Sequence, residues 1–109
     1  LMSTLDKKFK DKLEAIVAQH IGDNNFNVDR LAELLCLGRT TVYNQTKSIM
    51  GVSPNIYIQN ERLRIAAKFL LEGEYTVSEI SEKVGFSDST YFYKCFKNKY
   101  GIAPSKYGK

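Results

Sequence analysis

Two stretches of this chain are copies of each other, and that constrains the fold more than any other feature. Val28 and Glu33 recur as Val77 and Glu82, 49 residues later. Thr40, Tyr43, Lys47, Gly51, Pro54 and Tyr57 recur as Thr90, Tyr93, Lys97, Gly101, Pro104 and Tyr107, 50 residues later. Conservative matches fill the gaps: Leu31 with Ile80, Leu35 with Val84, Leu37 with Phe86 and Val42 with Phe92. The change of offset puts one extra residue between the two blocks of the second copy, where a turn tolerates an insertion best. Two copies are too few for a solenoid, which buries its core by stacking at least three. They predict two equivalent small units.

The spacing of apolar residues says what the units are made of. Phe9, Leu13, Ile16, Val17 and Ile21 predict an amphipathic helix over 6–21, stopped by Gly22 and a Gly-Asp-Asn-Asn turn. Leu31, Leu34 and Leu35 predict a short helix over 28–37, capped by Asn27 and broken by Gly38. A second short helix runs over 39–50 and closes at Gly51. Ser53-Pro54, a cap followed by proline at the first helical position, opens a long helix. Its expected buried stripe is Ile56, Leu63, Ala66, Ala67, Leu70 and Leu71, and Gly73 ends it. Thr76 with Glu79 three residues on is a capping box for a helix over 76–84. Gly85 to Ser87 turns the chain. Ser87 or Asp88 then caps a helix over 89–100 that ends at Gly101, and Pro104 starts a last turn. No stretch alternates with a period of two.

The expectation is an all-α chain of about seven helices, with two helix-turn-helix subdomains joined by a long central helix. The first unit with its leading helix covers 1–51, the linker helix 53–72 and the second unit 76–109. No apolar run approaches the roughly 18 residues that span a bilayer, so no membrane contact is expected from this segment. A Leu before the Met at position 2 points to an excised or tagged fragment. Cys36 and Cys95 fall among apolar helical positions without metal-ligand spacing and read as small buried reduced thiols. That suits a cytoplasmic location. His20 reads as a solvated side chain. No cluster of Cys, His and carboxylate, Gly-rich phosphate loop or nucleophile elbow is present, so neither catalysis, a metal nor a cofactor is expected.

The second helix of each copy carries the functional signal. Ser89 to Gly101 reads STYFYKCFKNKYG, too aromatic for a solvated helix and too basic for a buried one. Stepping round the helix by about 100° per residue resolves this. Phe92, Phe96, Cys95 and Tyr91 form a core side. Thr90, Lys94 and Lys97 take the opposite pole, with Ser89 and Tyr93 on one flank. In the first copy, Val42 centres the buried side, flanked by Thr46 and Ile49. Thr40, Asn44 and Lys47 face outward, with Tyr43 and Arg39 to one side. The chain has 12 acids and a net charge of only +4, yet neither 39–50 nor 89–100 contains an acid. That selective absence favours a polyanion as neighbour. Asn44 and Gln45 can donate and accept at an adenine edge, and Lys94 can reach guanine O6 or N7. Thr40 and Thr90 offer a hydroxyl to base or phosphate and a methyl to thymine. Ser, Thr and Lys near each helix start can hold phosphate. Tyr43 and Tyr93 are read either as half-buried packing with the hydroxyl in water or as phosphate contacts.

In the second half, AAKFLLEGEYTVSEISEKVGFSDSTYFYKCFKNKYGIAPSKY, a GF is followed by a polar turn, then YF, FK, G and P-x-x-Y. This resembles the signature of the DNA-binding domain of AraC-type transcription regulators, and the resemblance covers nearly the whole chain. It implies seven helices, with a long central helix holding two helix-turn-helix units. It also implies that Arg39, Thr40, Thr41, Tyr43, Asn44, Gln45 and Lys47, and Ser89, Thr90, Tyr93, Lys94 and Lys97, enter successive major grooves of double-stranded DNA. The leading helix DKKFKDKLEAI and the run VSPNIYIQNERLRIAAKFLL resemble the output domains of hybrid two-component regulators. RNA polymerase is then a further candidate partner, and dimerisation is expected through regions outside this chain. The first recognition helix departs from the family, with Thr46 where Leu is usual and Asn44-Gln45 where basic residues are common. The alternative reading is a helical protein–protein interaction module that uses the Tyr-rich faces and binds no DNA.

Overall fold

A computed structural model of the chain describes residues 2–108. Its elements are α1 (Thr4–His20), α2 (Val28–Leu35), α3 (Arg39–Met50), α4 (Pro54–Glu72), α5 (Val77–Lys83), α6 (Ser89–Tyr100) and a closing 3-10 turn, Pro104–Lys106. With no strand among the described residues, the chain is all-α. It packs as two compact units. One comprises Leu1–His20 and Phe26–Asn60, the other Ile21–Asn25 and Glu61–Lys109.

The sequence repeat is a backbone repeat. At the end of α2 the Cys36 N–H donates to the Glu33 carbonyl at 3.0 Å, and the Leu37 N–H to that of Ala32 at 3.1 Å. Forty-nine residues on, Gly85 N–H donates to Glu82 and Phe86 N–H to Ser81, both at 3.0 Å. These are the paired bonds of a Schellman turn, which needs a left-handed residue at its pivot. Cys36 supplies it at φ 57° and Gly85 at φ 90°. Gly85 is required twice over. Besides its φ, a Cβ there would run into the Ile21 carbonyl oxygen and the Arg62 guanidinium. Cys36 is exposed and bears the strain of a side chain in the left-handed region.

This corrects two expectations. Gly38 does not break α2; the break is two residues earlier, at Cys36, and Gly38 is an extended residue preceding α3. Cys36 is an exposed pivot, and only Cys95 is buried. Asn27 caps α2 as expected, its side chain accepting from Arg30 N–H at 3.0 Å. α1 starts before Asp6 because the Ser3 hydroxyl accepts from the Asp6 N–H. His20 is half-buried rather than solvated, its ring stacked on Phe26 at 5.1 Å.

In the first unit Phe9, Leu13 and Val17 of α1 are buried, as are Phe26, Leu31, Leu35 and Val42, where α1, α2 and α3 meet. In the second, Leu63, Ala66 and Ala67 meet Ile80, Val84, Phe86, Phe92, Cys95 and Phe96. The aromatic run of α6 is a chain of ring contacts there. Phe92 lies edge-on to Phe86 at 5.1 Å, and Phe96 meets Tyr100 at 4.6 Å and Tyr107 at 5.2 Å. Tyr91 belongs outside, 51% exposed, although the wheel grouped it with the core. α4 also departs from expectation. Ile56 and Leu71 are exposed, whereas Tyr57 and Ile58 are buried. The first stretch of α4, up to Asn60, belongs to one unit and its remainder to the other, so a single apolar stripe does not describe it.

Where the second unit has Phe96, the first has Thr46. Both are fully buried, and the Thr46 hydroxyl has no hydrogen-bond partner. An unpaired buried hydroxyl costs more than its methyl-bearing isostere. In the second unit, Arg62 donates from Nη2 to the Asp23 carbonyl at 2.9 Å, pinning the 21–25 turn. Burial lowers its guanidinium pKa, and the nearby Asp23 carboxylate partly offsets this. The α5 capping box is complete, and its bonds from Thr76 hold the Glu79 carboxyl below the ordinary carboxylate range.

Three outcomes follow, each readable by urea unfolding. Gly85→Ala loses about 2–4 kcal/mol from strain and overpacking, whereas Cys36→Gly, at the equivalent pivot, gains up to about 1 kcal/mol. Equal responses at the two sites would show that the pivots differ. Thr46→Val gains about 1 kcal/mol, and a loss would show that the hydroxyl is bonded. Glu79 has a lower pKa folded than unfolded, so its contribution is present above pH of about 4.3 and fades as pH falls through the folded value. Glu79→Gln therefore flattens the acid limb of the stability profile and leaves the alkaline limb unchanged.

Candidate nucleic-acid interface

α3 and α6 occupy matching places in their units and end alike. Gly51 (φ 80°) donates to the Lys47 carbonyl at 3.0 Å, and Gly101 (φ 75°) donates to that of Lys97 at 2.8 Å. This pins the last turn of each helix just beyond an outward lysine. All twelve expected contact residues are exposed: Arg39, Thr40, Thr41, Tyr43, Asn44, Gln45 and Lys47 on α3, and Ser89, Thr90, Tyr93, Lys94 and Lys97 on α6. Between them, Val42, Thr46, Phe92, Cys95 and Phe96 are buried, so the faces divide cleanly.

Each unit has a groove beside its second helix. In the first it encloses about 450 Å³ and is lined by Val28, Arg39, Thr40 and Tyr43, with Ser53, Pro54 and Asn55 from the start of α4. In the second it encloses about 380 Å³ and is lined by Val77, Ser78, Ser89, Thr90 and Tyr93. Four lining positions correspond through the repeat: Val28 with Val77, Arg39 with Ser89, Thr40 with Thr90, and Tyr43 with Tyr93. The tyrosines are 50% and 43% exposed, so each ring packs along its groove while half of it stays accessible. Ser53, Asn55 and Ser78 also line these grooves, though none is among the expected contact residues. Their only signal is position, because each follows or forms a helix start.

Gln45 stands apart from Asn44. It lines a groove of about 590 Å³ with Leu5, Phe9, Leu35 and Leu37, on the α1 side of α3. The two amides lie about 100° apart on the helix. The two helix starts also differ. The Asp88 side chain accepts from Thr90 N–H at 2.9 Å and caps α6, whereas Gly38 leaves α3 without a side-chain cap. The α6 N-terminus is thus already satisfied by a carboxylate, and a phosphate there meets like charge. The α3 N-terminus has no such cap. The acid-free surface of α3 is also interrupted from outside the helix, because Asp29 of α2 stands 3.0 Å from Arg39 Nε. Among the described residues no group of three or more His, Cys, Asp or Glu can hold a metal, and no helix is long and apolar enough to cross a membrane.

The fold and these surfaces are those of a DNA-binding helix-turn-helix domain of the transcription-regulator class. The pattern of a helix-turn-helix domain family, HTH_18, matches residues 31–109. The chain belongs to the AraC-type helix-turn-helix family. It is 35% identical over 97% of its length to a protein named histidine kinase P4 from Formosa agariphila, of which it covers 8%. The C-terminal domain of the two-component response regulator yesN from Fusobacterium nucleatum superposes with a TM-score of 0.88 at 30% identity, covering 94% of this chain and 99% of that one. The DNA-binding domain of AdpA, a global transcriptional factor solved in complex with a target DNA, superposes with a TM-score of 0.80 at 25% identity, covering 90% and 87%. The chain spans less than half the length of the curated relatives it matches.

Replacing Asp88 by Ala costs about 1 kcal/mol of stability through the lost cap. The same change tightens binding to DNA at low salt, since a carboxylate beside the recognition helix is gone. Weaker binding would show that Asp88 itself contacts the nucleic acid.

Proposed function

We propose that the chain is the sequence-specific output domain of a transcription regulator, in which α3 and α6 each place an outward face in a major groove of double-stranded DNA. The observation that carries this is the pair of matching second helices, free of acids, with all twelve Thr, Ser, Tyr, Asn, Gln, Lys and Arg side chains exposed. In this reading Lys47 and Lys97, at the pinned ends of the helices, hold phosphates. Thr40 and Asn44 specify one segment; Ser89, Thr90, Tyr93 and Lys94 specify the other. Gln45 and Thr41 lie toward the edge of the first surface.

Residues 1–51 and 76–109 then act as two helix-turn-helix units on either side of the linker helix 53–72, within one DNA-binding domain over 1–109. Kinship with yesN and with a histidine kinase supports a place at the output end of a hybrid two-component regulator, and a chromosomal DNA target would place that domain in the cytoplasm. Dimerisation falls to other regions of that protein, and RNA polymerase is the partner an activator would meet.

Binding isotherms against salt test the proposal. Lys47→Ala and Lys97→Ala weaken binding to all sequences alike, and each flattens the log–log salt slope by about one unit. Asn44→Ala instead relaxes discrimination by about 1–3 kcal/mol in one segment alone. A partner bound without salt dependence, and DNA not at all, would favour a protein-interaction module.

A further inference from the structure

We infer that Asp29 is a positioning residue that aims Arg39 at a guanine, an assignment that rests on the DNA-binding reading above. Arg39 is the first residue of α3 and Asp29 the second of α2. The Arg39 Nε stands 3.0 Å from Asp29 Oδ1, with the two side chains 70% and 63% exposed. A pair so exposed contributes little to folding. Its consequence is geometric. The contact is made at Nε, and a guanidinium engaged there keeps its two terminal nitrogens as a pair of donors. That is the pattern that guanine O6 and N7 accept side by side in the major groove. Ordering a long side chain is part of the cost of any contact it makes, and a carboxylate beside Arg39 lowers that cost.

The carboxylate also selects against the alternative target. A free arginine at a helix start is drawn to phosphate. Asp29 neutralises most of that pull and repels a phosphate approaching beside it. Arg39 is therefore suited to a base, whereas Lys47, with no acid on its own helix, suits the backbone. The second unit provides an internal contrast. The positions equivalent to Asp29 and Arg39 are Ser78 and Ser89, both exposed and both uncharged. The guanine preference consequently belongs to the segment read by α3, and the two segments of the site differ there.

Selection of bound sites from a random double-stranded DNA pool tests this with the wild type, Asp29→Asn, Arg39→Ala and the double variant. The wild type enriches one invariant guanine in the α3 segment. Asp29→Asn loses about tenfold of the discrimination at that base pair. Its affinity for unrelated DNA rises and its salt slope steepens by about one unit, because the released arginine takes a phosphate. Arg39→Ala loses the same discrimination, and the double variant is no worse than Arg39→Ala. If Asp29→Asn selects the wild-type base as strongly as before, the assignment is overturned while DNA binding stands. It is equally overturned if Asp29→Asn shifts preference in the Arg39→Ala background, since Asp29 would then act through another group. A wild-type chain that enriches no sequence overturns both this assignment and the reading beneath it.

Discussion

The Schellman turn after the first helix of each unit is the constraint on which the rest depends. Two backbone bonds and one left-handed residue stop α2 at Leu35 and α5 at Lys83, then release the chain into a second helix. Where that helix starts determines which of its residues meet the core. Val42 and Thr46, and Phe92, Cys95 and Phe96, then fall inward, and the other residues between Val42 and Thr46 and between Phe92 and Phe96 fall outward. Recognition chemistry on α3 and α6 is thus a consequence of how the preceding helix ends. The same turn is built on different residues, a glycine hemmed in by Ile21 and Arg62 in one unit and a cysteine in the other.

Most of this was legible because repeats expose their own register. Gly51 and Gly101, Asn27, and Thr76 with Glu79 act as their residue types predict, and the outward residues of α3 and α6 are outward. The failures have a common cause. A helical wheel assumes one core per helix, and α4 serves two, so Ile56 and Leu71 were misplaced. Glycine was expected at every break, yet a cysteine pivots between α2 and α3 while Gly38 stays extended. His20 was read without its stacking partner, because Phe26 reaches it only once the chain has turned. The Asp29–Arg39 pair was invisible for the same reason, being ten residues apart and on different helices.

The two units share a frame but not a chemistry. The second has an aromatic core, a capped recognition helix and lysines as its outward charges. The first has a buried, unpaired threonine hydroxyl, an uncapped recognition helix and an arginine held by an acid. Its lower basicity is therefore a change in kind of contact. In the proposed reading it trades the non-specific pull of lysine on phosphate for amide and guanidinium groups that would address bases. Under the proposed function this difference in outward donors and acceptors favours an asymmetric site.

Hydroxyl-radical footprinting of the chain on a site selected from random DNA tests that central claim most directly. The account predicts two separate protected segments of different sequence, one lost in specificity when α3 is altered and the other when α6 is altered. A single short protected patch, insensitive to every outward residue of α3, would contradict it and leave α6 as the sole reader.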